Sequence, residues 1–165
     1  MKHNLLLLFI MISLAISCST DEIENKVGNA DAITGAWHAT ALKVDTNTAT
    51  DNAKFGKQIL DFLTDKDCHI LSLTFNQDLT RVFESAANYL QINATATGLE
   101  IPCPTEVDAD TVTYTYDGET LTTTDASGNS ASIGVTIDGD TMTINAIDLN
   151  IPNFNYEGEL IFKRN

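Results

Sequence analysis

Cys68 and His69 are adjacent in the sequence, and a thiolate beside an imidazole is the pairing on which a nucleophilic dyad depends. The residues around them alternate between apolar and polar types as in a β-strand, where neighbouring side chains point to opposite faces. The pattern therefore does not favour a dyad. A zinc site would need about four ligands at recognisable spacing, and the sequence contains no such cluster of ligands around His38 or His69. We interpret both histidines as structural residues.

Three pairs of aspartates alternate with other residues, a spacing that can serve calcium. None continues into the longer ligand loop of a calcium-binding motif, and Asp-Gly-Asp is typical of a tight hairpin. A carboxylate pair for glycoside hydrolysis depends on a distance in space that the sequence does not give. The serines have no nucleophile elbow, and no glycine-rich phosphate loop is present. We therefore predict no enzyme, no catalytic residue, no metal site and no cofactor. The pairs are Asp65 and Asp67, Asp108 and Asp110, and Asp138 and Asp140.

The composition is acidic and is typical of a globular protein. The 165 residues include 9 Lys and Arg against 23 Asp and Glu, which gives a net charge of −14. This charge repels phosphate backbones, and no basic stripe with interleaved aromatic residues appears, so nucleic acid is excluded as a partner. Hydrophobic residues make up 43% of the chain, and 22 threonines favour strands over helices. One domain is the natural interpretation.

The first 18 residues carry a targeting signal. Lys2 and His3 precede an apolar run of about a dozen residues, too short for the roughly 20 that span a bilayer. The run ends in Leu14-Ala15-Ile16-Ser17-Cys18, which resembles the lipobox of bacterial lipoproteins. The resemblance implies cleavage before Cys18 and attachment of lipid to that cysteine. Ordinary cleavage beside an incidental cysteine is the alternative.

We therefore divide the chain into a signal peptide (residues 1–17), a lipidated flexible tether (residues 18–33) and a folded domain (residues 34–165). The tether lacks apolar periodicity and would hold the domain away from the membrane. Asp21-Glu22 resembles the export signal of some Gram-negative lipoproteins, with solvated linker charge as the alternative. The expected location is the outer membrane, with the domain in the periplasm or on the cell surface.

The folded domain has the pattern of an all-β protein with one short helix. Phe55, Ile59, Phe62 and Leu63 recur at helical spacing between Asp51 and Asp65. About eight strands follow one another at hairpin spacing, with Asp117-Gly118 as the strongest turn signal. Residues 85–107 are ambiguous, and residues 89–92 are a candidate strand within them. Eight strands in up-and-down order predict a closed antiparallel barrel, with a β-sandwich as the alternative.

Several short motifs follow one another along this domain: Gly35-Ala36-Trp37, Cys68 before Leu73–Asp78, Cys103, Thr113–Tyr116 and Leu160–Arg164. Together they resemble those of lipocalin-like domains in lipidated bacterial proteins. The resemblance covers about residues 34–165, and Leu79 stands where that family usually has a glycine. It implies an up-and-down barrel on a lipid anchor. It also implies that a basic side chain of the last strand covers the tryptophan of the first at the closed end of the barrel, here Arg164 over Trp37, with free exposure of Arg164 as the alternative.

Strand parity places many large side chains inside the barrel, and space remains near Ala39, Ala41, Thr123 and Gly158. The predicted inner positions are Trp37, Leu71, Leu73, Phe75, Val112, Tyr114, Tyr116, Leu121, Ile133, Val135, Ile137, Met142, Ile144, Phe154, Tyr156, Leu160 and Phe162. Any pocket should therefore be shallow. Tyrosines combine apolar area with a hydroxyl that needs a partner, which suits a half-open cavity. The candidate ligand-binding residues are Trp37, Tyr114, Tyr116, Met142 and Tyr156.

Cys68 and Cys103 form an even pair in an exported domain, where disulfides persist. We predict a disulfide between them, with two free thiols as the alternative.

Two functions from different classes fit these observations. The first is a lipid-anchored module that binds a small apolar or amphipathic ligand, with the helix as a lid over an open barrel end. The second is a non-catalytic surface scaffold with a filled barrel that contacts a protein or a glycan.

Overall fold

Eight antiparallel strands close into a barrel in up-and-down order, and a two-stranded hairpin lies outside it. The predicted all-β barrel with one short helix is confirmed, and the sandwich alternative is wrong. Around the barrel the order is β1, β2, β3, β6, β7, β8, β9 and β10, and β10 pairs back to β1. The computed structural model describes residues 31–96, 98–152 and 157–165. The strands are β1 (Gly35–Lys43), β2 (Leu71–Phe75), β3 (Thr80–Ser85), β4 (Asn93–Thr95), β5 (Gly98–Glu100), β6 (Asp108–Tyr116), β7 (Thr120–Thr124), β8 (Ser130–Asp138), β9 (Thr141–Asn145) and β10 (Glu159–Arg164).

The β6–β7 turn shows how local sequence forms the hairpins. Oδ1 of Asp117 accepts hydrogen bonds from the backbone N–H groups of Glu119 at 3.0 Å and Thr120 at 2.7 Å. Gly118 lies at φ 109°, a conformation that glycine adopts without a steric penalty. The Asp-Gly pair thus supplies both the side-chain acceptor and the backbone freedom that the turn requires.

The barrel has two ends, which we name after the residues of β1 that lie there. The Gly35 rim holds the start of β1, the end of β10 and the turns at residues 76–79, 117–119 and 139–140. The Lys43 rim holds the opposite ends of these strands and the connections of the helix.

The helix α1 (Asp51–Thr64) packs at the Lys43 rim, because it connects the end of β1 to the start of β2. The hydroxyl oxygen of Thr50 accepts a hydrogen bond from the backbone N–H of Ala53 at 3.2 Å, which caps the first turn. The helix ends at Thr64 with Asp65 as its C-cap, so the predicted segment is confirmed.

The buried face of α1 differs from the predicted stripe. Phe55 is 39% exposed, and Phe62 is only partly buried. Ile59 and Leu63 of the predicted stripe are buried as expected, and the small residues Ala53 and Gly56 lie in the interface where Phe55 and Phe62 were expected. The buried residues are Ala53, Gly56, Ile59, Leu60 and Leu63.

Residues 86–107 leave the barrel between β3 and β6, and we call them the excursion. Its β4–β5 hairpin lies in the stretch that the sequence left ambiguous, and the candidate strand at residues 89–92 does not form, since Ala87–Tyr89 form a 3₁₀ turn and β4 begins at Asn93. The predicted disulfide between Cys68 and Cys103 is confirmed, with the two Cα atoms 5.8 Å apart. It fixes the excursion to the segment that precedes β2.

Large apolar side chains fill the inside of the barrel. The space expected at Ala39 is absent because this residue is fully buried in the core cluster. At Gly158 a Cβ atom would lie 2.3 Å from the carbonyl oxygen of Lys43, so that site is closed as well. The predicted inner positions that are buried are Trp37, Leu71, Leu73, Phe75, Tyr114, Tyr116, Leu121, Val135, Met142, Ile144, Leu160 and Phe162.

Three other predicted inner positions, Val112, Ile133 and Ile137, are partly buried. Phe154 and Tyr156 lie outside the described residues.

Candidate binding cleft at the Gly35 rim

Residues 31–34 cross the Gly35 rim and are fixed there by Trp37 and Arg164. The indole N–H of Trp37 donates to the carbonyl oxygen of Ile33 at 2.8 Å. The Arg164 guanidinium donates to the carbonyl oxygens of Ala32, at 2.8 Å, and Thr34. These contacts hold the segment that precedes β1 against the end of the barrel.

The structure places Arg164 over Trp37, the arrangement that the lipocalin resemblance implies. The guanidinium carbon lies 4.0 Å from the centroid of the indole ring, which is cation–π geometry. The same guanidinium forms an ion pair with Asp140 at 3.3 Å. Arg164 therefore joins the two terminal strands, the β8–β9 turn and residues 31–34.

A cavity of about 610 Å³ opens at this rim, and we call it the rim cleft. Its lining residues come from three segments that are distant in the sequence, at residues 31–34, 77–79 and 114–122. Tyr114 and Tyr116 face inwards from β6, whereas Thr115 and Thr122 lie on the outer side of the β6–β7 hairpin. The cleft therefore runs over the rim onto the outside of the barrel and does not descend into the filled interior.

The two tyrosines of the cleft already have hydrogen-bond partners. The hydroxyl of Tyr114 donates to the carbonyl oxygen of Asn76 at 3.2 Å, and that of Tyr116 donates to the carbonyl oxygen of Gly118 at 2.6 Å. Burial raises the pKa of Tyr116, and the carboxylates of Asp117 and Glu119 add to the effect. The hydroxyls of both tyrosines therefore need no ligand, and the two side chains, 2% and 4% exposed, border the cleft with little free surface.

Leu79 is the most unusual residue of the cleft. Its φ of 62° lies in the left-handed region, which leucine rarely adopts, and its side chain is 44% exposed. The turn keeps this conformation because Leu79 donates to the carbonyl oxygen of Asn76 at 3.1 Å and accepts from the N–H of Tyr114 at 2.9 Å. Leu79 thus combines a strained backbone with a partly exposed apolar side chain on the wall of the cleft. In the sequence, the indication of this site was a leucine at a turn position where a glycine is expected.

The charged groups of the cleft are acidic. Asp31 and Asp117 line it, and none of the described lining residues is a lysine or an arginine. Hydrogen bonds from the backbone N–H groups of Thr120 and Glu119 hold the pKa of Asp117 below its ordinary value. The carboxylate of Asp117 is therefore ionised at neutral pH.

A second, more polar cavity of about 310 Å³ lies in the excursion beside Cys103. Residues 88–91 and 102–106 line it. Asn88 and Tyr89 donate to the Asp108 carboxylate at 2.6 and 2.8 Å, which attaches the 3₁₀ turn to the start of β6. These contacts fix the positions of Asn88 and Tyr89 on one side of the cavity.

Ser72, His38 and Glu84 lie side by side on the outside of β1, β2 and β3, which suggests a hydrolytic triad. The hydroxyl of Ser72 donates to Glu84 at 2.9 Å, so its proton points to the acid and not to the imidazole. His38 Nδ1 is buried without a hydrogen-bond partner. These three residues therefore lack the hydrogen-bond arrangement in which a histidine activates a serine nucleophile.

Metal and thiolate chemistry find no support in the part of the chain that the structure describes. No group of three or more His, Cys, Asp and Glu side chains there is arranged to hold a metal ion. Cys68 is bonded to Cys103 and so is not a thiolate.

The structure separates the predicted ligand-binding residues. Tyr114 and Tyr116 line the rim cleft, whereas Trp37 and Met142 are fully buried in the interior and do not line it. Tyr156 lies outside the described residues, as does the predicted lipidation site Cys18. Sequence analysis missed Leu79, Asp31 and Asp117 as site residues.

No family model, curated protein or solved structure matches this chain. The likeness to lipocalin-like lipoprotein domains therefore stays a prediction from the residues. Within the described ranges, no helix has the length and apolar character that crossing a membrane requires.

Proposed function

We propose that the chain is an extracytoplasmic lipoprotein, anchored to the outer membrane through Cys18, that binds a small apolar or amphipathic ligand in the rim cleft. The observation that carries the ligand-binding part is the cleft itself, about 610 Å³ with Leu79 and two tyrosines on its wall. That volume lies within the range of ordinary small-molecule sites. The targeting signal that ends at Cys18 supports the anchor.

The helix does not act as a lid in this proposal. α1 packs at the Lys43 rim, and its buried Ile59, Leu60 and Leu63 belong to the same core cluster as the barrel interior. The rim cleft lies at the opposite end. Residues 31–34 are held at that end by hydrogen bonds from Trp37 and Arg164, and Ile33 is fully buried in the core cluster.

Native mass spectrometry of the chain from Ser19 onward tests the function, since all barrel pairings lie between Gly35 and Arg164. The protein should be purified from the periplasm without detergent. We expect a co-purified small molecule that is lost in Tyr116→Ala or Leu79→Asp and retained in Leu99→Asp. Protein that carries no small molecule and shows no thermal shift with fatty acids, fatty amines, sterols or bile acids would contradict the proposal.

A second function, the surface scaffold, is favoured by the exposed side of the excursion. Ile92, Leu99 and Val107 are 41%, 54% and 50% exposed there. Apolar side chains grouped on one irregular segment are typical of a protein contact. A protein or glycan partner whose binding is abolished by Leu99→Asp and unaffected by Tyr116→Ala would establish this function.

A further inference from the structure

The rim cleft also indicates the chemical class of its ligand. We propose that it takes a cationic amphiphile, whose apolar chain lies against Leu79 and whose positively charged head group lies near Asp31 and Asp117. This inference rests on the proposed ligand-binding function and adds to it the sign of the head group and the residue that contacts the chain.

The argument for an apolar chain starts from the strain at Leu79. A glycine would adopt φ 62° freely, yet the turn holds a leucine whose side chain is partly exposed to solvent beside the cavity. The hydrogen bonds that fix this turn use only backbone atoms of Leu79, so they would form equally well with glycine. The turn itself does not require the leucine side chain. Contact with an apolar group of a ligand in the cleft would give that side chain a role.

The argument for the head group starts from charge. Asp31 and Asp117 line the cleft, and the described lining contains no basic residue to receive a carboxylate or a phosphate. Arg164 lies close by, but its guanidinium is already engaged with Ala32, Thr34 and Asp140. The chain as a whole carries −14, which adds to the repulsion of an anionic ligand. A fatty-acid anion would therefore enter against the local field, and an ammonium group would enter with it.

Three probes with the same chain and different head groups test the proposal, namely dodecylammonium, dodecanol and dodecanoate. Each is titrated calorimetrically into the chain from Ser19 onward at neutral pH, below the concentration at which it forms micelles. We expect one site, with dodecylammonium binding at least tenfold more tightly than dodecanoate. Dodecanol should fall between the two.

A double substitution tests the contact with the head group. Asp31→Asn with Asp117→Asn should weaken dodecylammonium about three- to tenfold and leave dodecanol unchanged. Asparagine keeps the side-chain oxygen that caps the β6–β7 turn, so the fold is preserved. Asp125→Asn is the control, because Asp125 caps the β7–β8 turn in the same way at the Lys43 rim. It should leave the affinity unchanged.

Leu79→Gly tests the chain contact. It should weaken all three probes about tenfold while the thermal midpoint stays the same or rises, since the strain is removed. Leu99→Gly removes a leucine of similar exposure from the excursion and should not change the affinity. A lower thermal midpoint with unchanged affinity in Leu79→Gly would overturn the role assigned to Leu79.

The remaining outcomes separate this inference from the proposed function. Dodecanoate that binds as tightly as dodecylammonium would overturn the charge preference and leave the cleft as a ligand site. Dodecylammonium binding that Asp125→Asn weakens as much as the cleft variants would show attraction to the surface in general, which also overturns it. Failure of all three probes to bind would overturn this inference, whereas the proposed function is contradicted only when the purified protein also carries no small molecule and shows no thermal shift with the wider ligand set.

Discussion

The imidazole rings of His38 and His69 stack on each other, with centroids 4.6 Å apart and planes inclined by 18°. His69 Nε2 lies 3.4 Å from a carboxylate oxygen of Asp67, and His38 points out of β1 between Ser72 and Lys163. Stacked imidazoles tolerate one positive charge better than two. The pair therefore couples the stability of the barrel wall to pH.

Stability should fall as the pH drops below about 6.5. Burial, and next the neighbouring His69, lower the pKa of His38 in the fold, and the opposing effects of Glu84 and Asp67 are smaller. Between the folded-state pKa and 6.5 the unfolded chain binds more protons, so the free energy of unfolding decreases on acidification through this window and then levels off. Urea denaturation from pH 5 to 8 measures it.

His38→Gln should flatten this pH dependence, and His69→Gln should flatten it in part. Carboxylates whose pKa values the fold lowers do not affect the slope between pH 5 and 8, because their contribution to the free energy of unfolding is lost only at lower pH. They include Asp78, Asp108, Asp117 and Asp125. Equal slopes for all three proteins would contradict the assignment to His38.

Arg164→Ala should destabilise the protein by about 1–3 kcal/mol, because it removes both the cation–π contact with Trp37 and the hydrogen bonds to residues 31–34. Arg164→Lys should lie between, since lysine keeps the charge but not the planar set of donors. Trp37 is the single tryptophan, so its fluorescence reports unfolding directly. Lys163→Ala, on the exposed side of β10, is the control and should change stability by less than about 0.5 kcal/mol.

Cys68→Ser with Cys103→Ser should lower the free energy of unfolding by about 3–4 kcal/mol, the chain-entropy value for a loop closed across a separation of 35 residues. The physical reason is that the unfolded chain gains the freedom that the crosslink had removed. Reductant should lower the stability of the parent protein to that of the variant and should not affect the variant. Two alkyl groups added to the natively purified parent without reductant would contradict the disulfide.

Local patterns in the sequence are sufficient for most of the barrel. Asp117-Gly118 predicts its hairpin because one side chain and one glycine determine the turn, and the helix from Asp51 to Thr64 follows from its cap and period. The buried face of the helix could not be predicted in the same way. Burial at Gly56 and exposure at Phe55 depend on how closely α1 approaches the barrel, which is a tertiary property.

The rim cleft was beyond prediction from local patterns, because residues 31–34, 77–79 and 114–122 meet only when the barrel closes. Tyr114 and Tyr116 could be proposed from strand parity, but parity alone does not separate them from the fully buried Trp37 and Met142. Distance from the rim makes that difference, and it depends on the register of the whole sheet.

Cys18→Ala should abolish lipid attachment and leave the signal peptide uncleaved, because the lipobox resemblance assigns both the cleavage site and the lipid to Cys18. Metabolic labelling with a radioactive fatty acid and membrane fractionation measure this. Ser19→Ala, one residue further along, is the matched control and should label normally and reach the outer membrane. Labelled, membrane-bound Cys18→Ala protein would contradict the proposed anchor.

Gly158→Ala should destabilise the barrel by about 2–4 kcal/mol, because it adds both backbone strain and a steric clash. Gly158 lies at φ 129°, and its added Cβ would meet the carbonyl oxygen of Lys43 at 2.3 Å and Val44 at 3.0 Å. Gly134→Ala is the matched control, since no atom lies within 4 Å of its added Cβ and its φ is not positive. Alanine there should be neutral or stabilising by up to about 1 kcal/mol, as glycine weakens a strand. Equal effects of the two substitutions in urea denaturation would mean that the chain before β10 does not lie against β1.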